Sequence, residues 1–293
     1  MKEIIAGLGE ILWDVLPTGK ILGGAPANFA YHISQFGFNG YAVSAVGNDD
    51  LGNEILDNLN QKKLNYCIEK TNFPTGTVQV TLDEKGIPNY EICEDVAWDN
   101  IPFSKAIEDL AKNTKTVCFG SLAQRNPVSR QTINLFLENM PNDSLKIFDI
   151  NLRQHFYSMP LIEDALRKCD LLKINDEEVE TVANLLGWNG KSELDICRQL
   201  LEMYGLKMVV LTRGSEDSYV LSSTEVSHKL TPHVPVVDTV GAGDSFTAAF
   251  VAGILSGKSI SEAHQLAVDV SAYVCTQPGA MPVLPEDLRN RLQ

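Results

Sequence analysis

The sequence contains no apolar run long enough to cross a bilayer; the longest near its C-terminal end, "FTAAFVAGIL", falls well short of a spanning helix. Nor does the apolar start "MKEIIAGLGEILWD" form a signal-peptide core, because Glu3 and Glu10 interrupt it. Cysteine is sparse and scattered (Cys67, Cys93, Cys118, Cys169, Cys197 and Cys275) and no C-x-x-C pair occurs. That excludes a disulfide framework or a zinc ribbon and suits a reduced, cytoplasmic chain. Basic charge is also short: 24 Lys and Arg stand against 38 Asp and Glu, for a net charge of -14. Nucleic acids and anionic membranes need a basic footprint, so neither is an expected partner. An anionic ligand must then be held by amide dipoles, a few cations or a metal. No repeat, low-complexity tract or long linker divides the chain, so residues 1–293 read as one domain.

What is present is alternation. The short apolar runs "IIAGLGE", "YAVSAVGNDD", "TVCFGSLAQR", "KIFDINLR", "LLKINDEE", "MVVLTRG" and "PVVDTVGAG" each end in glycine or polar residues. Between them lie segments of helical spacing such as "EEVETVANLLG" and "ELDICRQLLEMYG". This predicts an α/β fold with a mostly parallel central sheet, helices on both faces, and ligands beyond the carboxyl ends of the strands. One region differs: "TGTVQVTLDEKGIPNYEIC", Thr75 to Cys93, alternates with period two about a glycine-containing turn and predicts a β-hairpin. With "DVLPTGKILG", Asp14 to Gly23, it forms a small second sheet, either a lid of about residues 14–23 and 75–96 or an ordinary edge hairpin.

The densest motif is "VVDTVGAGDSFTAAF", Val236 to Phe250. A dinucleotide fingerprint fails because Phe246 stands in place of the third glycine, which leaves a dehydrogenase as a weak alternative. A serine hydrolase fails because Ser245 is followed only by His264, with no suitably placed acid. "AGILSGKS" lacks the first glycine of a phosphate loop, at Ala252, and reads as a helix end with Gly257 as its cap. What remains is a Gly-Ala-Gly turn opening a helix, whose amides and dipole form a site for phosphate oxygens. Asp244 at that helix start is either an N-cap or a general base facing a nucleophile.

"DTVGAGDSFTAAFVAGIL" together with "GGAPANFAYHISQFG" resembles the two signatures of the ribokinase-like, or PfkB, carbohydrate kinases, and the similarity extends over essentially the whole chain. "GEILWDVLP", "GSLAQR", "AWDNIPF" and "VCTQPGAMPVLP" look most like the bacterial fructokinase branch. The resemblance implies a sugar held under a β lid, ATP and Mg²⁺ in a groove, and γ-phosphoryl transfer to a primary hydroxyl, with fructose the expected acceptor. Ribose or 2-keto-3-deoxygluconate is the alternative acceptor, and a non-catalytic sugar sensor the alternative class. It makes Asp244 the base, the amides of Gly241, Ala242 and Gly243 the anion hole, and Asp238 a ligand of a monovalent cation, usually K⁺. Asp14, Gly24 and Asn28 match sugar contacts, with Gly23 and Gly24 a hinge for lid closure. The local alternatives are a helix cap for Asn28, a turn for the glycine pair and a turn-bonded residue for Asp238. Asn151 and Arg153 lie at the cleft mouth, where Arg153 either meets phosphate oxygens or forms a surface ion pair.

Asn175 and Glu178 have the spacing of a capping box, the favoured local reading, and also match the family's N-x-x-E motif, which organises Mg²⁺ through water. Thr212 and Gly214 match a nucleotide-contacting turn. Two departures leave the nucleotide preference open, with ATP the default: Asp217 replaces a second glycine, and Val268 stands where some relatives place Asn near adenine. Exposed edges of the hairpin suit a homodimer formed through the lids.

Overall fold

A computed structural model describes residues 3–16, 19–82, 88–188 and 190–292. Its strands, in chain order, are β1 (Ile4–Leu8), β2 (Leu12–Leu16), β3 (Gly19–Gly23), β4 (Asn39–Gly47), β5 (Asn65–Thr71), β6 (Thr77–Leu82) and β7 (Pro88–Ile92). They continue with β8 (Thr114–Phe119), β9 (Leu145–Asp149), β10 (Leu171–Asn175), β11 (Met208–Arg213), β12 (Asp217–Ser222) and β13 (Val226–Leu230). The main helices are α1 (Ala25–Gln35), α2 (Asp50–Gln61), α3 (Lys105–Ala111), α4 (Pro127–Asn139), α5 (Met159–Leu166), α6 (Asp176–Leu186), α7 (Glu193–Tyr204), α8 (Ala242–Leu255) and α9 (Ile260–Cys275).

Nine strands form one sheet in the order β13-β12-β11-β10-β9-β8-β1-β4-β5. It is parallel from β5 to β11 and ends in the antiparallel pair β12 and β13. Alternate strand residues enter different cores: Met208 and Val210 join α8 and α9 on one face, and Val209 and Leu211 join α6 and α7 on the other. Covering both faces is what lets parallel strands be apolar almost throughout. Helix α8 is buried continuously from Ser245 to Gly253, and at Gly253 a Cβ would meet Ala263 Cβ of α9 at 2.7 Å. The chain runs from β1 outward to β4 and β5, then returns to β8 and builds the other way. The order reverses between β1 and β8, the position at which such sheets open a crevice at their carboxyl edge.

The second sheet, β3-β2-β6-β7, contains the expected hairpin of β6 and β7. Its turn, residues 83–87, and residues 17–18 between β2 and β3 lie outside the described residues. One expected strand does not form. "PVVDTV" is irregular, with a bend at Val237, and joins neither sheet; Val236 and Val237 are 62% and 64% exposed. The far side of β11 is already taken by β12, and the amides of Val237 and Asp238 bond instead to Cys275 O at the end of α9, at 2.8 and 3.3 Å. At the other end of α8 the C-cap is Ser256, with Gly257 following at φ 76°. Among the described residues no helix is long and apolar enough to cross a membrane.

Candidate active site

The strand register brings the first groups together. Asp149 at the end of β9 is level with Lys173 on β10, and Asn175 at the end of β10 is level with Thr212 on β11. Lys173 Nζ lies 3.4 Å from Asp149 Oδ1, and both side chains are about nine-tenths buried. Thr247 on α8 donates to Asp149 Oδ2 at 2.9 Å, which ties the sheet to the helix that follows the glycine turn. A Cβ at Gly243 would stand 3.2 Å from Lys173 Nζ, so the missing side chain lets the turn settle over the ammonium. Burial pulls the Lys173 proton affinity down, but Asp149, Glu178 and Asp244 outweigh it and hold the ammonium charged. The sequence reading missed Lys173 and Asp149. Their signal was a charge inside the apolar runs "LLKIN" and "KIFDIN", where a strand facing solvent on neither side should carry none.

At the start of α8 the N-cap is Gly241, with φ 78° and no side chain to cap with. Left-handed backbone favours glycine there, and a Cβ would also press on Ala280 Cα at 2.7 Å. Asp244 is therefore not the N-cap: it is the third residue of the helix, and its Oδ2 accepts a 2.7 Å hydrogen bond from Asn28 Nδ2 of α1. Desolvation, then repulsion from Asp149, pushes Asp244 up to about 6, against the pull of Asn28, Lys173 and Arg153. Of the three amides expected to face an anion, that of Ala242 already donates to Thr239 O at 3.2 Å.

Asn28 is not a cap either, since α1 begins at Ala25 with Gly24 as N-cap; its buried Oδ1 has no hydrogen-bond partner. Gly24 has φ 115°, and a Cβ there would meet Glu10 O at 2.5 Å; a Cβ on Gly23 would meet Asp14 Oδ2 at 2.5 Å. Asp14, on β2, is pushed up to about 6 by burial, with Arg153 opposing. Arg153 acts electrostatically on Glu10, Asp14 and Asp244 alike and forms no ion pair among the described residues. Asn151, at φ 45°, borders a small cavity together with Glu10, Asp149 and Asp244.

Other expected residues take local roles. Asn175 and Glu178 form a capping box: Asn175 Oδ1 accepts from the Glu178 amide at 2.8 Å, and Glu178 Oε2 accepts from the Asn175 amide at 2.9 Å. Glu178 Oε1 takes the Leu152 amide at 2.9 Å, so both of its oxygens accept backbone bonds. Asp238 Oδ1 accepts from Val240 N and Oδ2 from Gly279 N, at 3.0 and 3.1 Å. That is the bonding of a turn, and each oxygen, accepting one bond, keeps a further lone pair. Gly214, at φ 50°, turns the chain after Thr212, and Asp217 holds Arg213 through two bonds of 2.6 and 2.7 Å. Val268 is 2% exposed in the core beneath α9. Ser245 is buried with its hydroxyl on Ala242 O, while His264 bonds Ser218 and Ser227, so the two form no nucleophile and base. A cavity of about 320 Å³ bordered by Arg125, Arg130 and His155 includes none of the expected site residues.

An uncapped helix start thus lies beside a desolvated carboxylate at the carboxyl edge of a parallel sheet, a geometry that can hold an anion against an acid-base group. The sequence pattern of the pfkB carbohydrate kinases matches residues 12–287. The chain is 29% identical to an ATP-dependent 6-phosphofructokinase of Thermoanaerobacterium thermosaccharolyticum, over 97% of this chain and 92% of that protein. It is 26% identical to the fructokinase of Salmonella typhimurium, over 95% of each. An uncharacterized sugar kinase from Pyrococcus horikoshii, solved in complex with ATP, superposes with a TM-score of 0.82 at 25% identity, covering 99% of this chain and all of that one. The chain belongs to the pfkB family of carbohydrate kinases.

Proposed function

We propose that the chain is an ATP-dependent fructokinase, making fructose 6-phosphate by γ-phosphoryl transfer to a primary hydroxyl. The observation that carries this reading is Asp244: a carboxylate pushed up to about 6 and held by Asn28 of α1 beside an uncapped helix start. A base with that affinity is ionised at neutral pH yet able to take a hydroxyl proton as the oxygen attacks phosphorus. Gly241 and Gly243, with the α8 dipole, offset charge on the transferring group, and Ala242 contributes if its bond to Thr239 is exchanged.

The sugar is held by Asp14, Gly24, Asn28, Asn151 and Arg153, with the unpartnered Oδ1 of Asn28 accepting from a sugar hydroxyl. Asn175, Thr212 and Gly214 line the nucleotide side. Mg²⁺ bound with the nucleotide would neutralise phosphate charge, and Glu178 would order its waters. The small sheet, about residues 14–23 and 75–96, acts as the lid of a single kinase domain of residues 1–293, excludes water on closing, and pairs with a second lid in a homodimer. ATP as donor and the free cysteines suit the cytoplasm. A monovalent cation such as K⁺ would be held by Asp238, where it would offset negative charge near the glycine turn.

Fructose 6-phosphate is the second acceptor to consider, because a relative similar over almost the whole chain is a 6-phosphofructokinase. The test is ADP formation from ATP and Mg²⁺ with fructose, fructose 6-phosphate, ribose or 2-keto-3-deoxygluconate, for wild type and Asp244→Asn. Fructose is expected to give the highest kcat/KM, and the folded variant to lose roughly 10² to 10⁴ in turnover. Preference for another acceptor overturns the fructokinase assignment. Turnover with none of them, alongside sugar binding, makes the protein a sensor.

A further inference from the structure

Two residues beyond β1, at the reversal of strand order, Glu10 is 3% exposed and its Oε2 has no hydrogen-bond partner. The amides of Glu10 and Ala25 lie against the carboxyl, so part of its role is to serve the start of α1, which Gly24 leaves without a side-chain cap. A structural cap, however, has no need of a second oxygen buried and unpaired, which is a costly arrangement. Glu10 borders a cavity of about 10 Å³ whose other polar walls are Asp149, Asn151 and Asp244. A cavity of about that size with several polar partners holds one water molecule.

We propose that Glu10 is the proton acceptor behind Asp244: one water in this cavity joins the two carboxyls, and the proton that Asp244 draws from the sugar passes through it to Glu10. The inference rests on the reading of Asp244 as general base. The sugar O–H bond breaks as its oxygen bonds to the γ-phosphorus, the bond from that phosphorus to the bridging oxygen breaks and ADP leaves with the electron pair, and Asp244 takes the hydroxyl proton. Asp244 then protonates the water, and the water gives a proton of its own to Glu10. Asp244 is again a carboxylate, Glu10 is the neutral acid, and Glu10 loses its proton to solvent after the products leave. Glu10 acts through Asp244 and is in that sense a positioning residue.

The electrostatics suit the part. Desolvation pushes Glu10 up to about 7, the charge of Asp244 adds to it, and the two amides and Arg153 oppose. Asp149 and the Cys118 thiol are the other titratable groups at the cavity. The same desolvation pushes Asp244 up to about 6, so a proton shared between the two carboxyls is close to balanced.

The test uses the full chain in two ways. In protein labelled with ¹³C at the glutamate carboxyls, one resonance should titrate near pH 7, vanish in Glu10→Gln and move to lower pH in Asp244→Asn. In rapid-quench single turnovers with ATP, Mg²⁺ and the fastest acceptor of the sugar panel, Glu10→Gln should transfer roughly tenfold more slowly, with its acid limb displaced to lower pH. Glu10 titrating in the ordinary carboxylate range, or a Glu10→Gln rate profile superimposable on wild type, overturns the proposal. Should Glu10→Gln fail to fold, Glu10→Asp makes the assignment, because its carboxyl leaves the labelled glutamate set, and the shift in Asp244→Asn is then read on that resonance. Full transfer rate in Asp244→Asn would instead remove the general base itself.

Discussion

Helices α6 and α8 begin at the same edge of the sheet, and each carries an acidic residue at its third position, Glu178 in one and Asp244 in the other. Their fates differ because of the residue at the N-cap. Asn175 gives α6 a side-chain acceptor in extended backbone, Glu178 folds back to complete the box, and that helix end is closed. Gly241 gives α8 no acceptor and turns the chain through left-handed backbone, so Asp244 finds its partner on α1 and the helix end stays open. A closed end satisfies its own amides; an open one leaves amides beside a desolvated carboxylate. Lys173 lies between the two and neutralises both.

Removing that shared cation is the most severe way to break the comparison. Lys173→Met should destabilise the protein by about 3–5 kcal/mol, because Asp149, Glu178 and Asp244 are left without their buried counter-charge. Chemical denaturation measures this directly, and a change under about 1 kcal/mol would mean that water already screens the cluster.

The next effect sharpens the difference through pH. Asp244 keeps its proton to about 6 when folded, whereas an ordinary Asp releases it near 4, so this carboxyl opposes folding increasingly as pH rises between those values. Asp244→Asn does not titrate. Relative to wild type it should gain up to roughly 3 kcal/mol between about pH 4 and pH 8 while losing activity, as urea unfolding at the two pH values would reveal. Equal differences at both would place the Asp244 carboxyl in water.

The mildest variant concerns the closed end. Glu178→Gln retains a capping-box residue, so stability should change by no more than about 1 kcal/mol. If Glu178 orders the waters of Mg²⁺, the Mg²⁺ concentration for half-maximal turnover should rise roughly 10- to 100-fold. An unchanged Mg²⁺ dependence would leave Glu178 a cap and nothing more.

The layered fold was legible because parallel strands buried on both faces must be apolar and helices covering them must be amphipathic, and both patterns are local. The glycine turn was legible because left-handed backbone at a helix start favours glycine, and Gly241 takes it. "PVVDTV" misled for the opposite reason: its valines look like a strand, but whether a strand forms depends on a free neighbour, and β12 had taken that place. Lys173, Asp149 and Glu10 were hidden because the partners that explain each charge come from other elements of the chain.

The sequence by itself determined the alternation of strands and helices, the family signatures and the glycine that leaves α8 uncapped, since these depend on spacing and backbone freedom within a few residues. Only the tertiary structure decided that Asn28 reaches Asp244 across 216 positions, that Lys173 sits beneath both helix starts and that Glu10 faces the same cavity. Charge and desolvation act through space, and the neighbours that set them are chosen by packing and not by order along the chain.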